Sequence, residues 1–242
     1  MTKDLLELIR ELQAMELIDH FALAGGSNLA LRYNHRKSVD IDLFADRIVG
    51  VRGWEAIEKS IREKFGGAVL FCNVLNAELG DQYCFLRALI IKGEEQIKLD
   101  MIQNVQYLDP VENIEDVRML SVEDIGLFKL IAASNRFARK DFYDLDIITD
   151  HIHLGFLLKR LKEKHDRYNE DRHKCLFDLD HSKSPLDDIS ILLPSDETVF
   201  KSSDSRHTHS SDRLDILEGG KTWLTAKLSW KRKIQHLISE KM

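Results

Sequence analysis

Cysteine is scarce in this chain, with three in 242 residues. The number is odd, and Cys72, Cys84 and Cys175 show neither a CxxC nor a Cys/His ligand spacing. That pattern argues against a disulfide framework and a zinc site, and is what buried thiols in a reducing cytoplasm look like. Long apolar runs are missing too: no stretch approaches the roughly 20 residues needed to span a bilayer. Met1 to Glu16 lacks a basic start, a continuous apolar centre and a small-residue cleavage site, so it reads as a helix rather than a signal peptide. Positive charge is in deficit, with 35 Lys+Arg against 41 Asp+Glu and a net charge of −6. A protein that binds nucleic acid through overall charge is therefore not expected. From Lys201 to Met242 the sign reverses, nine Lys/Arg against five Asp/Glu. That leaves open a solvated helical face or a local contact with a polyanion. There is no internal repeat, no G-x-G-x-x-G fingerprint and no Walker A loop. The ten histidines show no metal-ligand spacing, and His151 and His153, two apart, do not share a helix face.

What is present is an ordinary globular composition, 43% apolar and 31% charged, on a chain long enough for one large domain or two small ones. Leu5, Leu8, Ile9, Leu12, Met15 and Leu17 recur at close to helical spacing. Phe21 to Ala24 is a short apolar run entering a Gly25-Gly26 turn, after which Ser27 is placed to cap a helix from about Asn28 to Tyr33. Val39 to Phe44, VDIDLF, alternates acid with apolar and predicts a strand. Trp54 to Phe65 is an amphipathic helix closed by Gly66-Gly67. Strand-like runs follow at Ala68 to Leu75, Tyr83 to Ile91 and Gln96 to Ile102, the last two joined by a hairpin turn at Lys92-Gly93-Glu94. After Pro110 the strand signal fades. Ser121 heads a helix over Val122 to Asn135, with Glu123 and Asp124 suited to its dipole. Further helices are expected over about Lys140 to Asp150 and Leu154 to Asn169. Residues 178 to 212 read as loops, with Phe200 to Ser211 the most mobile. The predicted organisation is α+β, a mixed-sheet lobe over residues 1–115 and a helical lobe over 116–242.

Two carboxylates two apart on a strand point to the same face. Asp40 and Asp42 do so, and facing acids repel unless a cation lies between them. Mg²⁺ combines one or two carboxylates with substrate phosphates. Asp100 alternates with apolar neighbours on a second strand, so three acids from two strands could build a two-metal site. Gly25-Gly26-Ser27, between a strand and a helix start, offers close backbone approach, free N–H groups and the positive end of a dipole to a phosphate. Taken singly, a DxD is an ordinary solvated strand face and a Gly-Gly-Ser turn an ordinary loop; the combination is far more specific.

The segment from Gly25 through Leu29, Arg32, His35, Arg36, Ser38, Asp40 and Asp42 to Phe44 resembles the signature of the AbiEii/AbiGii toxin family. Its members are minimal nucleotidyltransferases of the DNA polymerase beta superfamily. A second segment, Lys129 through Asn135-Arg136 to Arg139-Lys140-Asp141 and Asp144-Leu145, resembles that family's later motif. Order and spacing agree over about residues 15 to 150. In the C-terminal third the likeness extends only to helical character and a Trp-containing end.

The resemblance implies a nucleotidyltransferase lobe like that of polymerase beta, followed by the helical lobe. Gly25, Gly26 and Ser27 would bind the nucleotide triphosphate, with His35 and Arg36 near phosphate or acceptor. Asp40, Asp42 and Asp100 would hold Mg²⁺ or Mn²⁺, and Asp100 could also act as general base. Lys129 would contact phosphate, and Asp141 would sit near nucleotide or acceptor. Without the resemblance, Lys129 reads as a surface lysine and Arg139 to Asp144 as a charged helix start. Phe142 and Tyr143 read as packing residues. The expected activity is transfer of a nucleoside monophosphate from an NTP to an acceptor hydroxyl. The acceptor would be RNA, plausibly tRNA, for a cytoplasmic, membrane-free toxin with a cognate antitoxin. A protein or small-molecule acceptor, such as an antibiotic, and an idle binding module of the same fold are the competing readings.

Overall fold

The computed structural model describes residues 1–136, 138–179, 183–194 and 213–240. The stretch expected to be most mobile, Phe200 to Ser211, lies outside the described residues. The chain divides into two units. One comprises Met1–Tyr33, Ser38–Ser121 and Tyr168–Leu179; the other comprises Asn34–Lys37, Val122–Arg167 and the described part of Asp180–Met242.

The first unit is built on a mixed sheet of seven strands: β1 (Ala22–Leu23), β2 (Asp40–Phe44), β3 (Val69–Leu75), β4 (Phe85–Lys92), β5 (Glu95–Ile102), β6 (Glu112–Ile114) and β7 (Val117–Met119). Their order is β3-β4-β5-β2-β1-β7-β6. The β2–β5 and β1–β7 pairs are parallel and the others antiparallel. Three helices belong here, α1 (Lys3–Gln13), α2 (Gly25–Tyr33) and α3 (Gly50–Phe65). Thr2 caps α1 by accepting from Leu5 N–H, and the apolar stripe Leu5, Leu8, Ile9 and Leu12 is buried in one cluster with Ile41, Leu43, Leu99, Met101 and Trp54. One face of the central strands therefore closes the core, and period-2 alternation turns their polar residues to the other face.

The sheet unit runs on past the expected boundary near residue 115 to Ser121. The strands β6 and β7, three residues each, were not anticipated from composition. What holds this end is polar. Buried Gln13 accepts from Arg118 N–H at 2.8 Å and donates to Arg118 O at 2.9 Å. Asn28 donates to Leu23 O and Leu120 O at 2.8 and 2.9 Å, fastening α2 to the ends of β1 and β7. Tyr168–Leu179 rejoins this unit, as Asn104 and Gln82 donate to the carbonyls of Arg172, Asp171 and Lys174 and Phe177 packs edge-on to Phe44.

The second unit is helical: α4 (Val122–Asn135), α5 (Arg139–Ile148), α6 (Leu154–Arg167) and α7 (Trp223–Glu240). Its core includes Ile125, Leu130, Phe142, Tyr143, Leu145, Leu157, Trp230 and Ile234. A Cβ at Gly126 would meet Leu157 at 3.2 Å, so α4 and α6 approach closely there. Lys233 of α7 donates to buried Asp146 of α5 at 2.8 Å, and Lys221 Nζ donates to the same carboxylate at 2.7 Å. The short segment Asn34–Lys37 joins this unit through an Arg36–Ile216 bridge and a bond from Lys37 N–H to Asp215 O.

Candidate functional site

The expected site residues fall into two groups, one in each unit. In the sheet unit, Ile41 and Leu43 are fully buried in the core, so Asp40 and Asp42 face the opposite way along β2. The same alternation on β5 buries Leu99 and Met101 and turns Lys98 and Asp100 to the acidic face. The parallel register sets Asp40 beside Lys98 and Asp42 beside Asp100. The antiparallel register then sets Arg87 of β4 on the far side of Asp100. One row across the sheet thus reads Arg87, Asp100, Asp42.

The glycine turn reaches this row from the end of β1. Ala24 N–H donates to Asp42 O at 2.8 Å. Gly25 has φ of +62°, and a Cβ placed on it would lie 2.0 Å from Asp42 Oδ2. Both facts call for glycine: the left-handed backbone disfavours a side chain, and the aspartate occupies the space one would need. The start of α2, with its spare N–H donors, is thereby brought against a carboxylate of β2.

Ser27 departs from its expected role. The helix starts at Gly25, so Ser27 is inside the first turn rather than at its cap. Its buried hydroxyl donates to Asp40 O and lies 2.9 Å from Ser38 Oγ. This serine ties the glycine turn to the strand that carries Asp40.

Asp100 is strongly engaged. Arg87 donates to it through Nε at 2.6 Å and Nη2 at 2.9 Å, and Lys98 Nζ donates at 3.1 Å. Burial alone would raise its pKa; the bonds and charge of Arg87 and Lys98 outweigh that and hold it below the ordinary carboxylate value. The Arg87 guanidinium is pushed up in turn, mainly by its bonds to Asp100, with Asp42 and Asp40 adding their field. Arg87 and Lys98 were not picked out from the sequence. The available signal was their parity: Lys98 is two before Asp100, and Arg87 takes an outward position in the otherwise apolar run FLRALII.

In the helical unit Lys129, Asp141, His35 and Arg36 come together around a residue quoted but not singled out, Asp144. Arg36 donates through Nε and Nη2 to the two oxygens of Asp144, each at 2.7 Å. His35 Nε2 lies 2.8 Å from Asp144 Oδ1, and the His35 ring stacks on Tyr143 at 5.8 Å. Lys129 Nζ bridges Asp141 at 2.7 Å and Asp144 at 2.8 Å. Arg136 closes on Asp141 at 2.8 Å. Burial pushes Lys129 down, but Asp141 and Asp144 overcome it, so the amine stays an ammonium at neutral pH. Lys129 is thus a buried fixed cation rather than a surface lysine or a proton acceptor. Asp141 and Asp144 are likewise held well below the usual carboxylate range: burial opposes this, and Arg136 and Lys129 on the first, Arg36 and Lys129 on the second, prevail.

Among the described residues no group of three or more His, Cys, Asp or Glu forms a ready metal cluster, and no helix is long and apolar enough to cross a membrane. The three cysteines are buried and unbridged.

The fold is shared with solved proteins. A candidate nucleotidyltransferase from Helicobacter pylori is 17% identical, with 99% of this chain and 97% of that chain covered and a TM-score of 0.54. JHP933 from H. pylori is 15% identical, with 99% and 94% covered and a TM-score of 0.53. MenT4, a nucleotidyltransferase toxin from Mycobacterium tuberculosis, is 15% identical, with 96% and 82% covered and a TM-score of 0.53. No curated protein matches. The architecture of this chain is thus one that these solved proteins share. Residues 7–239 match the family described as nucleotidyl transferase AbiEii toxin, type IV toxin–antitoxin system, and the chain belongs to that family.

Proposed function

We propose that this protein transfers a nucleoside monophosphate from an NTP to an RNA hydroxyl, on tRNA, with release of pyrophosphate, as the toxin partner of a cognate antitoxin. The observation that carries the chemistry is the contact of Gly25 with Asp42. A phosphate seated on the start of α2 and a cation seated on Asp42 would be immediate neighbours, and a triphosphate–magnesium complex needs that adjacency. The donor set fits. Mg²⁺ arriving with a nucleotide takes one or two protein carboxylates, and Asp40 and Asp42 face the same side of β2. When bound, the ion neutralises triphosphate charge and acidifies a nearby hydroxyl.

The chain's own residues position the substrate. Gly25 and Gly26 let the backbone approach the phosphates, and Ser27 holds that turn on the Asp40 strand. Asp100 is the third carboxylate of the face; the family pattern casts it as a third ligand or a base, while Arg87 and Lys98 already hold both of its oxygens. Lys129 and Asp141, with His35 and Arg36, belong to the catalytic apparatus on the strength of the family's later motif. The RNA acceptor and the antitoxin rest on family membership.

The test is incubation with α-³²P-labelled NTPs, Mg²⁺ and total RNA. Label is expected in the tRNA fraction, and Asp42→Ala should abolish it, by at least about a hundredfold, with an unchanged circular dichroism spectrum. Label in protein or in a small molecule would move the acceptor. No label with any acceptor, or an active Asp42→Ala, would refute the reading.

A further inference from the structure

The three carboxylates of the acidic face are not equivalent. Asp100 accepts three hydrogen bonds from two cations, two of them from the planar fork of Arg87. The side chains are only 10% exposed for Asp100, 14% for Arg87 and 20% for Lys98. A bidentate guanidinium–carboxylate pair with little water around it is among the strongest polar contacts a protein makes. For Asp100 to ligate a cation it would have to surrender that fork. The ion would then face Arg87 and Lys98 across one carboxylate, two positive charges against one negative. Asp40 and Asp42 together carry the two negative charges that match one divalent ion.

Resting on the function proposed above, we infer that this site takes one divalent cation, on Asp40 and Asp42, and that Arg87, anchored by Asp100, supplies to the nucleotide's phosphates the second positive charge. Arg87 is the catalytic residue in this scheme and Asp100 the positioning residue behind it. Lys98, beside Asp40 in the register, shares the work of holding Asp100. The third carboxylate is thereby an anchor for a guanidinium instead of a metal ligand. Arginine suits this use, because its fork can hold a carboxylate on one edge and leave donors on the other for phosphate.

Equilibrium dialysis of the full chain against ⁵⁴Mn²⁺ and ³²P-tripolyphosphate counts the ions without any turnover. The wild type should retain one manganese per bound triphosphate. Asp100→Asn should leave that ratio at one. Arg87→Gln should weaken triphosphate binding about ten- to a hundredfold, the loss of a charge-assisted contact. Asp100→Asn should weaken it by a similar factor, and the double variant should be no worse than Arg87→Gln alone, since Asp100 acts through Arg87. A merely structural Asp100 would instead give additive losses.

Two manganese ions per triphosphate in the wild type, or a ratio below one in Asp100→Asn, would overturn the inference. The wild-type count needs no variant, so a misfolded Asp100→Asn does not shelter it. Asp42→Asn separates this inference from its parent. That variant should lose manganese; if it retains the ion, or the wild type holds none, the Asp40–Asp42 site itself fails.

Discussion

Asp144 is the residue whose replacement should be felt most in stability. It is fully buried, and its two oxygens face Arg36 twice, His35 and Lys129, all at 2.7–2.8 Å. Asp144→Asn keeps the shape and removes the charge. One oxygen becomes an NH₂ group, which would point a donor at Arg36 or Lys129. Buried Arg36 would lose the carboxylate charge it pairs with, and Lys129 would be left with Asp141, which it shares with the half-exposed Arg136. Breaking one side of a buried ion pair costs about 3–5 kcal/mol. For a chain of this size each kcal/mol is worth about 2–4 °C in Tm, so a fall of roughly 10 °C is expected.

The pH dependence has a definite sign. Burial would raise the Asp144 pKa, but Arg36 and Lys129 lower it far more, so the folded value lies below the unfolded value of about 3.9. The native state keeps a carboxylate where the unfolded chain would bind a proton. The stabilisation is therefore complete above about pH 4 and is lost as pH falls through the folded pKa. Urea denaturation of wild type and Asp144→Asn at pH 7, 5 and 3 should show a constant gap at the first two and a narrower one at the third. Arg36→Met combined with Asp144→Asn should be less damaging than the sum of the singles, with coupling of about 1–3 kcal/mol. A single-variant loss under about 1 kcal/mol, or strict additivity, would refute the account of a buried, mutually satisfied network.

Two other perturbations are direct. Gly25→Ala should lower stability by about 1–2 kcal/mol from its left-handed backbone. It should lower nucleotidyl transfer by a further factor of about a hundred, since the methyl group needs the position of Asp42 Oδ2 and such displacements are costly to catalysis; wild-type turnover with an ordered alanine at 25 would contradict the site. The thiols should be silent in the native protein. All three are buried, and burial pushes Cys72 up to about 12, so a thiol-reactive chromogen at pH 8 should report no cysteine before urea and three after, whereas fast labelling of Cys72 in the native state would show the strand opening.

What could be read from the chain was what its chemistry decides locally. Alternation around Asp40 and Asp42 predicted a strand with one acidic face because period 2 is a property of a single strand. The stripe Leu5, Leu8, Ile9, Leu12 predicted α1 for the corresponding reason. β6 and β7 were missed because three residues carry too little pattern, and Glu112–Ile114 is mostly exposed. Ser27 was misplaced by three positions in its helix, which starts at Gly25 rather than Asn28, because the turn before it is held by tertiary bonds from Ala24 and Asn28 rather than by a cap. The return of Tyr168–Leu179 to the sheet unit, and the passage of Asn34–Lys37 to the helical one, depend on partners about 60 to 180 positions away in sequence and leave no local trace.

The same division separates the two ways in which charge was legible. A carboxylate can be seen in a sequence; its counter-ion cannot, because the partner is chosen by register. Asp100 met the expectation for a third ligand in residue type and strand parity, and only the β4–β5 pairing shows that Arg87 stands across from it. Asp141 and Lys129 lie in adjoining helices, twelve positions apart, and their bond could be guessed from the resemblance. Arg36 and Asp144 are 108 positions apart, and nothing short of the fold joins them. Carboxylates of one motif therefore differ by what the fold sets beside each of them. Asp42 lies against a glycine turn, proposed above to seat phosphate, and Asp100 against an arginine. That difference in neighbours, invisible in the DxD pattern itself, is what turns three similar aspartates into two proposed ligands and one anchor.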